Sequence, residues 1–156
     1  MLSTALLVPK LTTDFPDIAF VAGATFHWHP EKLTVTYVTA SNDIDSLLHE
    51  VAHAILGHQD FKRDVELIEM ERDAWRYATT TLAPRYGHTI TPEIIEDSLD
   101  SYRDWLHARS TCPTCKATGI QTKQHTYKCL ACTSEWTVND ARQHALRRHL
   151  TKKYPR

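Results

Sequence analysis

The sequence predicts an α+β fold: a small antiparallel sheet and several helices carrying a candidate metal site, followed by a compact cysteine module. Three observations predict it. Residues 33–39 (Leu33-Thr34-Val35-Thr36-Tyr37-Val38-Thr39) are rich in β-branched side chains. Residues 42–57, residues 64–82 and the stretch beginning at Thr91 place apolar side chains at helical spacing between capping signals. All 4 cysteines fall in two Cys-x-x-Cys pairs between positions 112 and 132.

Taken in order, residues 18–28 and 33–39 read as extended chain, with His29-Pro30-Glu31-Lys32 as the turn between them. The first helix begins near Asn42, a good N-cap, with Asp43 and Asp45 favourably placed in its first turn. Gly57 is its stop signal. A second helix runs over 64–82 and ends before Pro84. A third takes Thr91 as N-cap and Pro92 as its first helical residue, with the apolar stripe Ile95, Leu99, Tyr102, Leu106. Glu135-Trp136-Thr137-Val138 reads as a strand of the cysteine module, and residues 138–150 read as a further helix.

The predicted domains are therefore 1–108, 109–138 for the cysteine module, and 139–156 for a basic C-terminal helix and tail. Charge divides along the same line. Residues 109–156 hold ten Lys/Arg against two Asp/Glu, and residues 1–108 hold eight against seventeen, within a net charge of −1. With 42% hydrophobic and 24% charged residues the composition is that of a globular chain rather than a disordered one. No apolar run approaches the ~20 residues that span a bilayer. The first residues have no basic region and only a very short apolar stretch, so they do not read as a secretion signal. The expectation is a cytoplasmic protein with no membrane partner, in which Cys-x-x-Cys pairs bind metal rather than form disulfides.

His49-Glu50-Val51-Ala52-His53 is an H-E-x-x-H pattern inside the first helix. Residues at i and i+4 share a helix face, so His49 and His53 can bind one Zn²⁺. Glu50 is placed to act as general base and then general acid in the hydrolysis of a peptide bond. Leu47, Leu48, Val51 and Ile55 supply the buried side of this helix. A third ligand is needed, and the second helix offers Glu66, Glu69, Glu71 and Asp73. Its apolar stripe is Leu67, Ile68, Ala74, Trp75, Ala78, Leu82, and position 71 falls within it. A buried carboxylate requires a partner, which a metal would supply; an ion pair with Arg103 is the other option. His58 reads as a helix-end residue that would point away from His49 and His53 on a continuing helix. The pattern H-E-x-x-H-x-x-G-x-x-H would need glycine at 56 and histidine at 59, where Leu56 and Gln59 stand.

Cys112, Cys115, Cys129 and Cys132 have the spacing of a closed tetrahedral zinc site, so the module reads as a zinc ribbon whose metal supplies stability that a short segment cannot bury for itself. Two Zn²⁺ per chain are expected, one catalytic and one structural. Tyr127 and Trp136 read as the ribbon's own core. Arg142, Arg147, Arg148, Lys152 and Lys153 are candidate phosphate contacts for DNA. For stabilising an oxyanion, Tyr37, His27, Tyr86, His88 and Tyr102 stay open. Residues 34–39 are a candidate edge for an extended substrate.

Two segments resemble the ImmA/IrrE-type metallopeptidases. They are His49-Glu50-Val51-Ala52-His53-Ala54-Ile55-Leu56-Gly57-His58 and Glu71-Arg72-Asp73-Ala74-Trp75-Arg76-Tyr77-Ala78 continuing to Pro84. The resemblance covers roughly residues 18–90. It implies a gluzincin-like domain with endopeptidase activity, places Glu71 on that family's glutamate ligand, and suggests a DNA-bound regulatory protein as substrate. Trp75 departs from the Asn or Asp usual there, Ala83 departs from the usual Met, and the four-cysteine module is an addition. SprT-like and Spartan-like proteases also pair H-E-x-x-H with a zinc ribbon, but their later histidine segment has only a faint counterpart in His58-Gln59-Asp60-Phe61. A non-catalytic, zinc-stabilised binding protein is the alternative of a different class.

Overall fold

The computed structural model describes residues 1–140 and 146–152. The chain is α+β, as the sequence predicts, and divides into two compact units. The first comprises Met1–Asp60 with Glu69–Ile95, and the second Phe61–Ile68 with the described residues of Glu96–Arg156.

The first unit opens with a helix that the sequence reading omits, α1 (Thr4–Asp14). Thr4, Leu7, Val8 and Leu11 form its buried face, a regular helical stripe. Pro9 inside the helix obscures it, because proline removes one i→i−4 hydrogen bond. The acceptor deprived of that bond belongs to Ala5, which is exposed and can be hydrated. Thr4 ties α1 to the chain ahead of the next helix: its hydroxyl donates to the Val38 carbonyl at 2.9 Å and accepts from the Ser41 N–H at 3.1 Å.

Strands β1 (Ala19–Ala22), β2 (His27–His29) and β3 (Thr34–Tyr37) form a sheet of order β1-β3-β2. The sheet is mixed rather than antiparallel, since β1 runs parallel to β3 and only β2 is antiparallel to it. Residues 18–28 thus make two strands instead of one. β3 is the central strand, with Val35 fully buried, so residues 34–37 have no edge left for a substrate. The open edges belong to β1 and β2.

Helix α2 (Ile44–Leu56) starts one residue later than expected. Asp43, not Asn42, is the N-cap, accepting from the Ser46 N–H at 3.0 Å. It ends as predicted at Gly57, whose φ of 67° is the left-handed conformation that glycine adopts without steric cost. Helix α3 (Asp64–Tyr77) is followed by one π-helical turn, Ala78–Leu82, and a short α4 (Ala83–Arg85). The helical path therefore continues through Pro84. Proline fits there because it stands at the start of the α4 segment, where a missing N–H costs little.

In the second unit α5 (Pro92–Ser110) buries Leu99, Trp105 and Arg109, with Ile95, Tyr102 and Leu106 half-buried beside them. The strands β4 (Ile120–Lys123), β5 (Thr126–Lys128), β6 (Glu135–Val138) and β7 (Arg148–Lys152) form an antiparallel sheet in that order. β7 corrects the reading of 138–150 as helix; residues 141–145 of that span lie outside the described residues. Helical spacing there is overridden by pairing. β7 covers the edge of β6, which carries the fully buried Trp136, and Thr151 donates to the Glu135 carbonyl at 3.1 Å.

Tyr127 and Trp136 stack at a ring-centroid distance of 5.7 Å and form the ribbon core, as expected. Gly119 is required by close approach: a Cβ there would stand 2.3 Å from the Trp136 ring. The unit is further locked by Arg109, whose guanidinium meets both Asp64 oxygens at 2.7 and 3.3 Å, while the Tyr127 hydroxyl donates to the same carboxylate at 2.5 Å. Gln121 accepts from the Asp64 N–H at 2.8 Å. These bonds hold residues 61–68 in the second unit and explain why the chain does not divide at 108/109.

Candidate metal centres

Two side-chain clusters are disposed to hold a metal ion among the described residues. The first is in the first unit. His49 and His53 lie one turn apart on α2, and Glu71 comes from α3. His49 Nε2 stands 3.0 Å from His53 Nε2 and 2.9 Å from Glu71 Oε2, and Glu71 Oε1 is 3.2 Å from His53 Nε2. All three residues are buried. The choice of Glu71 by periodicity agrees with its place: Leu67, Ala74, Trp75, Ala78 and Leu82 are buried with it, while Glu69 is exposed and Asp73 pairs with Arg76 at 3.2 Å. Arg103 is engaged by Glu96 and Asp100 at 3.0 and 2.7 Å rather than by Glu71. Burial pushes the Glu71 pKa up, but hydrogen bonds from His49 and His53 outweigh it and bring it down to about 2. The carboxylate is thus held ionised, as a cation ligand must be.

Glu50 stands beside these candidate ligands on α2. Its Oε2 accepts from the Trp28 N–H of edge strand β2 at 2.7 Å. Sequence reasoning missed this contact, because a strand three residues long carries almost no pattern. It also read His58 as a helix-end residue pointing away from His49 and His53. The chain turns back at Gly57 instead of continuing the helix, so the His58 ring meets His53 rather than pointing away, Nδ1 to Nδ1 at 2.7 Å. The departure at Trp75 also acquires a role: its ring stacks on His49 at 4.1 Å. Of the oxyanion candidates, Tyr86 donates to Asp14 and His88 pairs with Asp45 at 2.5 Å.

The second cluster brings Cys112, Cys115, Cys129 and Cys132 together, with Cys112–Cys132 and Cys115–Cys129 sulfur distances of 3.6 and 3.5 Å. The two Cys-x-x-Cys segments are built alike. In each, the N–H of the first cysteine donates to a carbonyl five residues on, from Cys112 to Ala117 at 2.8 Å and from Cys129 to Ser134 at 2.9 Å. In each, the residue after the second cysteine is left-handed, Lys116 at φ 67° and Thr133 at φ 61°. Thr114 N–H donates to Cys112 Sγ and Cys132 N–H to Cys129 Sγ, which stabilises thiolate character. Hydrogen bonds from Ser134, then the neighbouring thiols, pull the Cys132 thiol down to about 6.

The basic candidates are thinner on the surface than in the sequence. Arg109, counted among the ten cations, is buried against Asp64. Arg148 donates to the Thr111 carbonyl at 2.5 Å, and Lys152 stands 3.6 Å from Glu135. Arg147 is exposed, and Arg142 and Lys153 lie outside the described residues. Among the described residues, no helix is long and apolar enough to cross a membrane. No protein-family model, curated protein or solved structure matches the chain.

Proposed function

We propose that the chain is a zinc-dependent endopeptidase, with His49, His53 and Glu71 as metal ligands and Glu50 as the proton-transferring group. One observation carries the reading: two imidazole Nε2 atoms and a carboxylate from two helices converge within 2.9–3.2 Å of one another. Ligand atoms around a tetrahedral zinc with ~2.0–2.1 Å bonds stand ~3.3 Å apart, so the spacing fits that ion. Three protein ligands leave one position open, the composition of catalytic rather than structural sites. Zinc held there would supply Lewis-acid activation of a peptide carbonyl and of the attacking water. Glu50 then accepts the proton of that water and delivers it to the leaving amine. The Trp28 N–H fixes the orientation in which Glu50 does so.

The four cysteines form the second, structural zinc site, whose S–S spacing of 3.5–3.6 Å is near the ~3.8 Å expected from ~2.3 Å zinc–sulfur bonds. Four thiols grouped for metal rather than disulfide suit a reducing, cytoplasmic setting. Together with the resemblance to ImmA/IrrE-type peptidases, the basic ribbon supports a regulatory or DNA-bound protein as substrate.

Elemental analysis of protein purified without added metal tests the reading directly. Zinc at both clusters is expected, with the Glu71→Ala variant losing the share held by the histidine cluster. Chelation with 1,10-phenanthroline abolishes peptide cleavage, and added zinc restores it. Zinc confined to the cysteine cluster in the wild type, unchanged by Glu71→Ala, would sink the proposal. The DNA part is checked separately. Binding of a random-sequence duplex should weaken at least tenfold between 50 and 200 mM salt, with a log–log slope of about −0.9 per phosphate contact. No binding at low salt removes that part alone.

A further inference from the structure

His58 belongs to no ligand set, yet its ring is fixed from several sides. Gly57 turns the chain in the left-handed conformation, and the His58 N–H returns to the His53 carbonyl at 3.1 Å. The Trp28 indole N–H donates to the His58 carbonyl at 2.9 Å. Held this way, His58 Nδ1 faces His53 Nδ1 at 2.7 Å.

Two imidazole nitrogens at that distance need one hydrogen between them, so one donates and the other accepts. The far side of His53 decides which. Its Nε2 lies 3.0 Å from His49 Nε2 and 3.2 Å from Glu71 Oε1, so Nε2 is the metal-facing atom: it donates to Glu71 in the metal-free chain and must present a lone pair once a metal is bound. The ring proton of His53 then sits on Nδ1 and donates to His58 Nδ1, which leaves the His58 proton on Nε2. His49 is treated differently. Its Nδ1 is buried without a hydrogen-bond partner among the described residues, and its ring is held by the face of Trp75 at 4.1 Å and 23°.

We propose that His58 is a positioning residue of the metal centre, fixing His53 as the Nδ1–H tautomer with Nε2 turned to the metal. This deepens the metal-site reading and rests on it. Such outer partners set ring orientation and ligand basicity, and their loss costs about 10- to 100-fold in metal affinity. The centre is then asymmetric: one histidine is oriented by a hydrogen bond and the other by an aromatic face.

The test uses the full chain and two variants. Long-range ¹⁵N–¹H spectra of the histidine rings in zinc-loaded protein report the His53 Nδ1–H and its hydrogen bond, and competition with a chromophoric chelator reports zinc affinity. In the wild type the His53 Nδ1–H should give a sharp, downfield-shifted signal, hydrogen-bonded to His58 and shielded from exchange. In His58→Ala that signal should be lost to exchange with water, with zinc affinity lowered about 10- to 100-fold at the histidine cluster and unchanged at the cysteines. His58→Asn places a carbonyl oxygen where Nδ1 stood, and should restore the signal and most of the affinity. The Trp28 bond goes to backbone and survives in both variants. A His58→Ala protein with the wild-type Nδ1–H signal and affinity within twofold overturns the proposal, as does a His58→Asn protein that behaves like His58→Ala. A wild-type histidine cluster that takes up no zinc is seen before any variant is made and overturns the underlying reading too.

Discussion

Glu50→Gln should lower kcat/KM for peptide cleavage by about 100- to 10,000-fold while leaving zinc content and fold unchanged. The substitution is isosteric, and the amide oxygen of glutamine can still accept the Trp28 N–H that Glu50 Oε2 takes at 2.7 Å. The side chain therefore keeps its orientation against β2 and loses only its ability to take up and release a proton. His49, His53 and Glu71 are untouched, so the metal stays. Cleavage of an unstructured protein such as casein, followed alongside zinc analysis, checks both halves. A variant with full activity would remove Glu50 from the mechanism and with it the peptidase reading. A biological effect that survives in an inactive variant would favour the non-catalytic binding protein.

The second large effect is structural. Asp64→Ala should destabilise the second unit by about 3–5 kcal/mol, because it leaves Arg109 buried without its counter-charge. Both partners are almost fully enclosed, with side chains 1% and 2% exposed. The Tyr127 hydroxyl loses its acceptor in the same step. Burial, and then the hydrogen bond to Asp64, raise the Tyr127 pKa, so that hydroxyl stays protonated and needs an acceptor. Native-state hydrogen exchange at the Tyr127 and Trp136 amides, paired across β5 and β6, reads the loss as faster opening. Replacing both partners by apolar side chains, Asp64→Leu with Arg109→Met, should recover the part due to the unpaired charge but not the part due to the Tyr127 hydroxyl, which still lacks its acceptor. An Asp64→Ala protein within about 0.5 kcal/mol of wild type would show that the pair does not hold the unit together.

Read alone, the sequence determined the parts whose causes are local. Spacing of i and i+4 is enough to put His49 and His53 on one face of a helix, and Gly57 is enough to end it. Two Cys-x-x-Cys pairs define their own cluster because each turn is built from its own backbone. Glu71 was legible because a carboxylate in an apolar stripe has to meet a cation somewhere. Only the tertiary structure decided what depends on distant pairing. β3 became the central strand because β1 and β2 pair on its two sides, and β7 a strand rather than a helix because it pairs with β6. Arg109 counted as a surface cation until Asp64, 45 residues earlier, enclosed it. Trp28 and His58 joined the candidate metal site through contacts spanning 22 and 5 residues, set by where a short strand and a left-handed turn bring the backbone. Those positions follow from the packing of whole elements, and periodicity carries no trace of them.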